Sequence, residues 1–181
     1  MKKTVLLGLA VSVFAVFSSE AQIERLTLSS MVQKTNDALI AEIVSSEVIR
    51  IDHPVDGPEL YYTHLTLEGT SLRTDKTERV VVTFAGGFIS DDQGVWNSEA
   101  PSADDVKIGN RVVAFYKNAV NMGGGLQANA LYASHGGLFR TVDSPKGVVV
   151  LGRGEGYAIG SNVRLDELTK SVRTLAKQEE L

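Results

Sequence analysis

Arg79-Val80-Val81-Val82-Thr83-Phe84 and Arg111-Val112-Val113-Ala114-Phe115-Tyr116 are the two stretches on which the reading of the fold turns. Each is a nearly continuous apolar run bounded by glycine, Gly86-Gly87 after the first and Gly109 before the second. Such runs read as strands buried on both faces, in the middle of a sheet or barrel. The segment joining them, from Gly86 to Gly109, is too long for an ordinary connection. It carries Asp91, Asp92, Glu99, Asp104 and Asp105 around Trp96 and is closed by Ala100-Pro101. Loops of this length tend to be functional or mobile, so this one is the first place to look for a partner's contact.

Outward from that pair, the flanking segments read as further strands. Ala38 to Ile51 is rich in Ile and Val but longer than a usual strand, and Ser45-Ser46 in its middle predicts a bulge or bend. Asp52 to Pro58 is a turn cluster with two prolines. From Leu60 to Leu72 the chain alternates, with Tyr61, Thr63, Leu65 and Leu67 on one face and Tyr62, His64, Thr66 and Glu68 on the other. After Tyr116 a glycine-rich turn at Asn118 to Gly125 precedes an alternating run, Leu126 to Ala133. Leu138 to Val142 and Val148 to Leu151 flank the turn Asp143-Ser144-Pro145-Lys146-Gly147 and should pair as a hairpin.

Two helices are expected outside the sheet. In the first, Leu28, Met31, Val32 and Thr35 share a face, Thr27 or Ser29 can serve as N-cap, and Asn36-Asp37 is the stop. In the second, Val163 to Lys177, the apolar stripe is Leu165, Leu168, Val172 and Leu175. Asp166 and Glu167 lie in its first turn and Arg173 and Lys177 in its last, matching the helix dipole. The expected class is therefore mainly β, a five- to six-stranded barrel of the OB type with a short N-terminal helix and a C-terminal amphipathic helix.

Met1-Lys2-Lys3, the apolar run Thr4 to Phe17 and the small residues Ser19 and Ala21 form a signal-peptide pattern with cleavage after Ala21. That run is shorter than the roughly 20 residues a membrane-spanning helix needs, and no later segment is apolar enough. Residues 22–181 are then a single exported domain, secreted or periplasmic. Its net charge, −4 for the whole chain, becomes one unit more negative without Lys2, Lys3 and Glu20. An acidic surface disfavours nucleic-acid backbones and anionic lipid. With no cysteine, the fold must stand on packing without disulfides.

Several constellations could carry chemistry, and each is weak. His53, His64 and His135 lack the short spacings of a zinc site. Asp91, Asp92 and Asp104 or Asp105 could offer oxygens to calcium but lack the D-x-D-x-D-G spacing. Gly152-Arg153-Gly154-Glu155-Gly156 is not G-x-G-x-x-G and sits in no βαβ unit, so it reads as a flexible turn. G-x-S-x-G is absent, and Ser134-His135 would send nucleophile and base to opposite faces of a strand. No catalytic residue, metal or cofactor is expected. The aromatics Tyr61, Tyr62, Trp96 and Tyr116 are candidates for an exposed patch, which on an exported acidic protein fits a protein or glycan better than nucleic acid. The binding candidates are Asp91, Asp92, Trp96, Asp104, Tyr62 and His64. The alternative is a metal-binding protein or metal-assisted hydrolase using His64 or His135.

The order of elements also carries a family likeness. The helix Leu-x-x-Met-Val-x-x-x-Asn-Asp-Ala leads to an Ile/Val strand, Tyr61-Tyr62-Thr63-His64-Leu65-Thr66-Leu67-Glu68, Val80-Val81-Val82-Thr83 with Gly86-Gly87, Ile108-Gly109-Asn110-Arg111-Val112-Val113-Ala114-Phe115 and Gly136-Gly137-Leu138-Phe139-Arg140-Thr141-Val142. From Leu26 to Leu151 this resembles exported bacterial proteins whose domain is similar to the OB-type barrel of the netrin and metalloproteinase-inhibitor superfamily. The resemblance implies a fold and no functional residue. The animal inhibitors of that superfamily reach a protease zinc with an N-terminal cysteine, and here the expected mature terminus is Gln22.

Overall fold

The computed structural model describes residues 26–179; the expected signal peptide lies outside them. Helix α1 (Leu28–Lys34) is capped by Thr27, whose side chain accepts from the Ser30 N–H at 3.0 Å, and it buries Met31 and Val32. Ten strands follow: β1 (Asp37–His53), β2 (Gly57–Ser71), β3 (Thr77–Ala85), β4 (Gly87–Ser90), β5 (Gln93–Val95), β6 (Arg111–Asn121), β7 (Gln127–Leu131), β8 (Leu138–Ser144), β9 (Gly147–Val150) and β10 (Val163–Arg164). A 3-10 turn, Ser134–Gly137, separates β7 from β8, and helix α2 (Leu165–Glu179) ends the described chain.

The protein is mainly β, built on a closed five-stranded barrel with the strand order of an OB-type fold. Around it run β1, β2, β3, β7 and β6, and β6 returns to β1. The β3–β7 pairing is parallel and short, Val82 opposite Asn129 and Thr83 opposite Ala130; the other barrel pairings are antiparallel. The bulge expected in β1 is present: the register with β2 shifts between Ile43 and Ser45. Two close approaches need glycine. A Cβ at Gly69 would run into the Ile40 carbonyl where β1 and β2 coil tightly, and one at Gly87 (φ 134°) would strike the side chains of Thr63 and Val48.

Two apolar cores share the barrel wall, which explains the double-faced burial expected of Arg111 to Tyr116. Val112, Ala114 and Tyr116 point into the barrel with Leu39, Ile43, Leu65, Leu67, Val82, Phe84 and Leu138. Val113 and Phe115 point outward into a second core with Met31, Val32, Phe139, Leu168 and Val172, under the two helices. Phe115 and Phe139 meet edge to face, centroids 6.3 Å apart. On β3 the same expectation holds only in part: Val82, Thr83 and Phe84 are buried, but Val81 is exposed.

Four further expectations are corrected. The Gly86 to Gly109 segment is not all loop, since β4 and β5 form a hairpin turning at Asp91-Asp92. Strand β6 continues to Asn121, taking in residues read as turn. Ser134-His135 lies in a 3-10 turn, not a strand. Val163 and Arg164, expected to begin the C-terminal helix, instead form the two-residue β10 paired with β9, and the helix starts at Leu165.

Candidate functional site

A cleft of about 760 Å3 opens at one end of the barrel. Its floor is barrel wall, Val48 of β1, Thr63 of β2 and Phe84 of β3. One side is the β4–β5 hairpin with Phe88 and Val95, and the other is the chain from Asn97 to Val106. Gly86-Gly87 carries the chain across the barrel mouth, held where the Thr63 hydroxyl donates to the Gly86 carbonyl at 2.6 Å. A second hollow of about 480 Å3 shares Val95, Trp96, Asn97 and Ser98 with the first and adds Glu59 to Tyr62. Trp96 thus stands on the ridge between them, 76% exposed.

The segment after the hairpin is pinned at several points. Ala100 and Val106 pack onto the end of the barrel core. Asn97 donates to the Ala85 carbonyl at 3.0 Å, and Asn110 donates to the carbonyls of Asp104 and Asp105 at 2.7 and 3.1 Å. The Glu99 carbonyl faces both the backbone N–H of His135 (2.9 Å) and its Nδ1 (2.8 Å). A carbonyl only accepts, so Nδ1 carries the proton, and in the neutral ring Nε2 accepts from the Tyr157 hydroxyl at 2.9 Å. Both ring nitrogens are therefore engaged in holding the chain.

Arg153 and Asp105 complete the clamp with an ion pair of 2.9 Å, their side chains only 22% and 15% exposed. Arg153 Nε also donates to the Leu138 carbonyl at 2.9 Å, and its guanidinium lies 6.0 Å from the centre of the Phe139 ring. The pair links the cleft wall to both cores. Partial exclusion of water strengthens it relative to a surface pair, and losing one partner would strand the other.

Of the six binding candidates, the cleft gathers one, Trp96. Asp91 and Asp92 form the exposed hairpin tip. Asp104 is exposed and bound to Lys107 at 2.6 Å; that hydrogen bond and the lysine's charge hold its carboxyl below the usual range. Tyr62, a candidate for the exposed aromatic patch, is instead buried, donating to the Met122 carbonyl at 2.6 Å and lining only the smaller hollow. Burial and then nearby Asp56 push its phenol above the usual value. His64 sits on the outer wall, its Nδ1 2.7 Å from the Thr83 hydroxyl, and lines neither opening. Tyr61 and Tyr116 are also buried, leaving Trp96 as the exposed member of the four aromatics considered for a patch. Phe88, 53% exposed, was missed.

His53, His64 and His135 each have separate partners, and the described residues contain no group of three or more His, Asp or Glu placed to hold a metal. Asp105, weighed in sequence as a possible calcium ligand, is instead paired with Arg153, which had no signal as a cleft residue because it sits in a glycine-rich stretch 48 residues away in sequence. In comparisons with family models, curated proteins and solved structures, nothing matches this chain.

Proposed function

We propose that the protein is an exported, non-catalytic binding module that takes its ligand in the cleft at the barrel mouth, beside Trp96. The observation that carries the reading is a preformed opening of ligand size whose rim holds a largely exposed tryptophan while its walls are fixed by buried contacts. Leaving an indole in water forgoes burial worth a few kcal/mol, which a ligand recovers by covering it. The polar groups of the walls support a structural part for His135, Asp105 and Arg153, since each is bonded to a neighbour within the fold. Export rests on the signal-peptide pattern of residues 1–21. The ligand is a protein or glycan met outside the cytoplasm.

The test uses immobilised protein carrying residues 22–181, exposed in parallel to cell-envelope protein and to cell-wall polysaccharide extracts. Bound material is identified by mass spectrometry and sugar analysis. Trp96→Ala removes the exposed ring, and Ser98→Trp fills the space between the two hollows from an exposed position. Both variants should lose the ligand while keeping the wild-type circular dichroism. Equal retention by all three proteins would overturn the assignment of the cleft.

A further inference from the structure

Strand β1 is paired on both sides only over its first part. From Leu39 to Glu42 it lies between β2 and β6, and Ile43 is closed off by bonds with Gly109 and Asn110. Beyond the bulge, from Ser45 to Ile51, it continues against β2 alone, and no described residue pairs with its other edge. A strand edge offers N–H and C=O groups at every second residue, and another extended chain can take them up. Ser46 and Val48 belong to this free-edge stretch and also line the cleft. A chain added along β1 would place alternate side chains about 7 Å apart over the opening. There Phe88, Val95 and Trp96 are exposed and without apolar cover.

The charges around the opening are unequal. Arg153 is engaged by Asp105, Lys107 by Asp104, and Arg50 by Asp52 and Glu59. Arg140, exposed on β8, lines neither opening. Glu47 on the free edge, Asp91 and Asp92 at the hairpin tip, and Glu99 beside the cleft have no cationic partner among the described residues. A partner complementary to this rim is basic.

Resting on the binding-module reading, we propose that the occupant is an extended polypeptide segment that adds to β1 along Ser45–Ile51. It lowers an apolar side chain beside Trp96 and carries lysine or arginine at the alternate positions. Main-chain hydrogen bonds to the free edge hold it, the cleft selects the apolar residue, and the unpaired acids select the charge.

Trp96 is the chain's sole tryptophan, so its fluorescence reports on this cleft. The probe is the capped peptide Lys-Val-Lys-Phe-Lys-Val-Lys. One control is the same peptide N-methylated at alternate residues, which keeps every charge and removes the donors on one edge; a second control replaces lysine with glutamate. The parent should shift Trp96 emission saturably, weaken as salt is raised, and slow amide exchange within Ser45–Ile51. N-methylation in the registers that block pairing, and the glutamate version, should each weaken binding on the order of tenfold or more. Glu47→Lys should also weaken binding, while Glu167→Lys, exposed on α2 and lining neither opening, should not. Equal binding of all N-methylated forms, or no change in exchange along β1, would overturn strand addition. If no peptide binds although the envelope extracts still yield a Trp96-dependent ligand, the peptide proposal falls and the binding module stands. If neither experiment finds a ligand at Trp96, both fall.

Discussion

Phe115 shows how much one side chain carries when it joins two layers. It is wholly buried between β6 and the helices, edge-on to Phe139, so Phe115→Ala removes a ring and leaves a cavity. A loss of about 3–5 kcal/mol is expected in urea unfolding; under about 1 kcal/mol would mean the helix layer collapses to fill the space. The Arg153–Asp105 pair makes a different prediction. Arg153→Met should cost about 1–2 kcal/mol after allowance for its partial exposure and should admit protease between Asn97 and Val106, whereas adding Asp105→Asn should recover part of the loss. A double variant as labile as the two single losses combined would deny the coupling. Neither Arg153 nor His135 was legible as a wall of the cleft, because their partners Asp105 and Glu99 come from a different stretch of chain. Tyr62 misled for a related reason. Alternation assigned its face correctly, but the chain at Met122 covers that face.

Elements with a long period were readable, and those set by chain crossing were not. Helix α2 announced itself through a stripe of which Leu168 and Val172 are now buried, and β1 through its length and its mid-strand serines. The β4–β5 hairpin escaped because its strands have four and three residues, too few for alternation to register, and its turn is two aspartates in an already acidic segment. The Gly86-Gly87 pair was seen only as a break, yet it is what carries the chain over Thr63 and Val48. Gly87→Ala should therefore lower stability by roughly 1–3 kcal/mol and shift Trp96 emission, since the hairpin pivots there. Gly147→Ala is the control: it has a comparable φ of 107° but no atom in the way of a Cβ, so it reports backbone strain alone. Equal losses in the two would show that crowding at the mouth contributes nothing.

For the whole molecule, pH should act at both ends of the scale. Asp52 is held below the usual carboxylate range by the Glu59 N–H and then by Arg50, and Asp166 by its hydrogen bond with Arg164. Their contribution is complete above the unfolded value near pH 4 and is lost as pH falls through the lower folded values. Tyr116 is pushed upward by burial, then by Asp37 and Glu78. Its contribution is complete below about pH 10 and is lost as pH rises beyond that. Melting temperature should thus be level from about pH 5 to 9 and fall on either side, and Tyr116→Phe should soften the alkaline fall; an unchanged slope would place its origin elsewhere. The barrel itself is closed by a clasp of two residue pairs between β3 and β7, joining positions 47 apart in the chain, while β1 and β2 are zipped through a local turn. With two paired residues against six in the β1–β6 seam, this clasp is the one expected to slip first when the native state breathes, leaving a curled ribbon that ends at Val82 and Asn129; faster amide exchange at β3–β7 than at β1–β6 is the check.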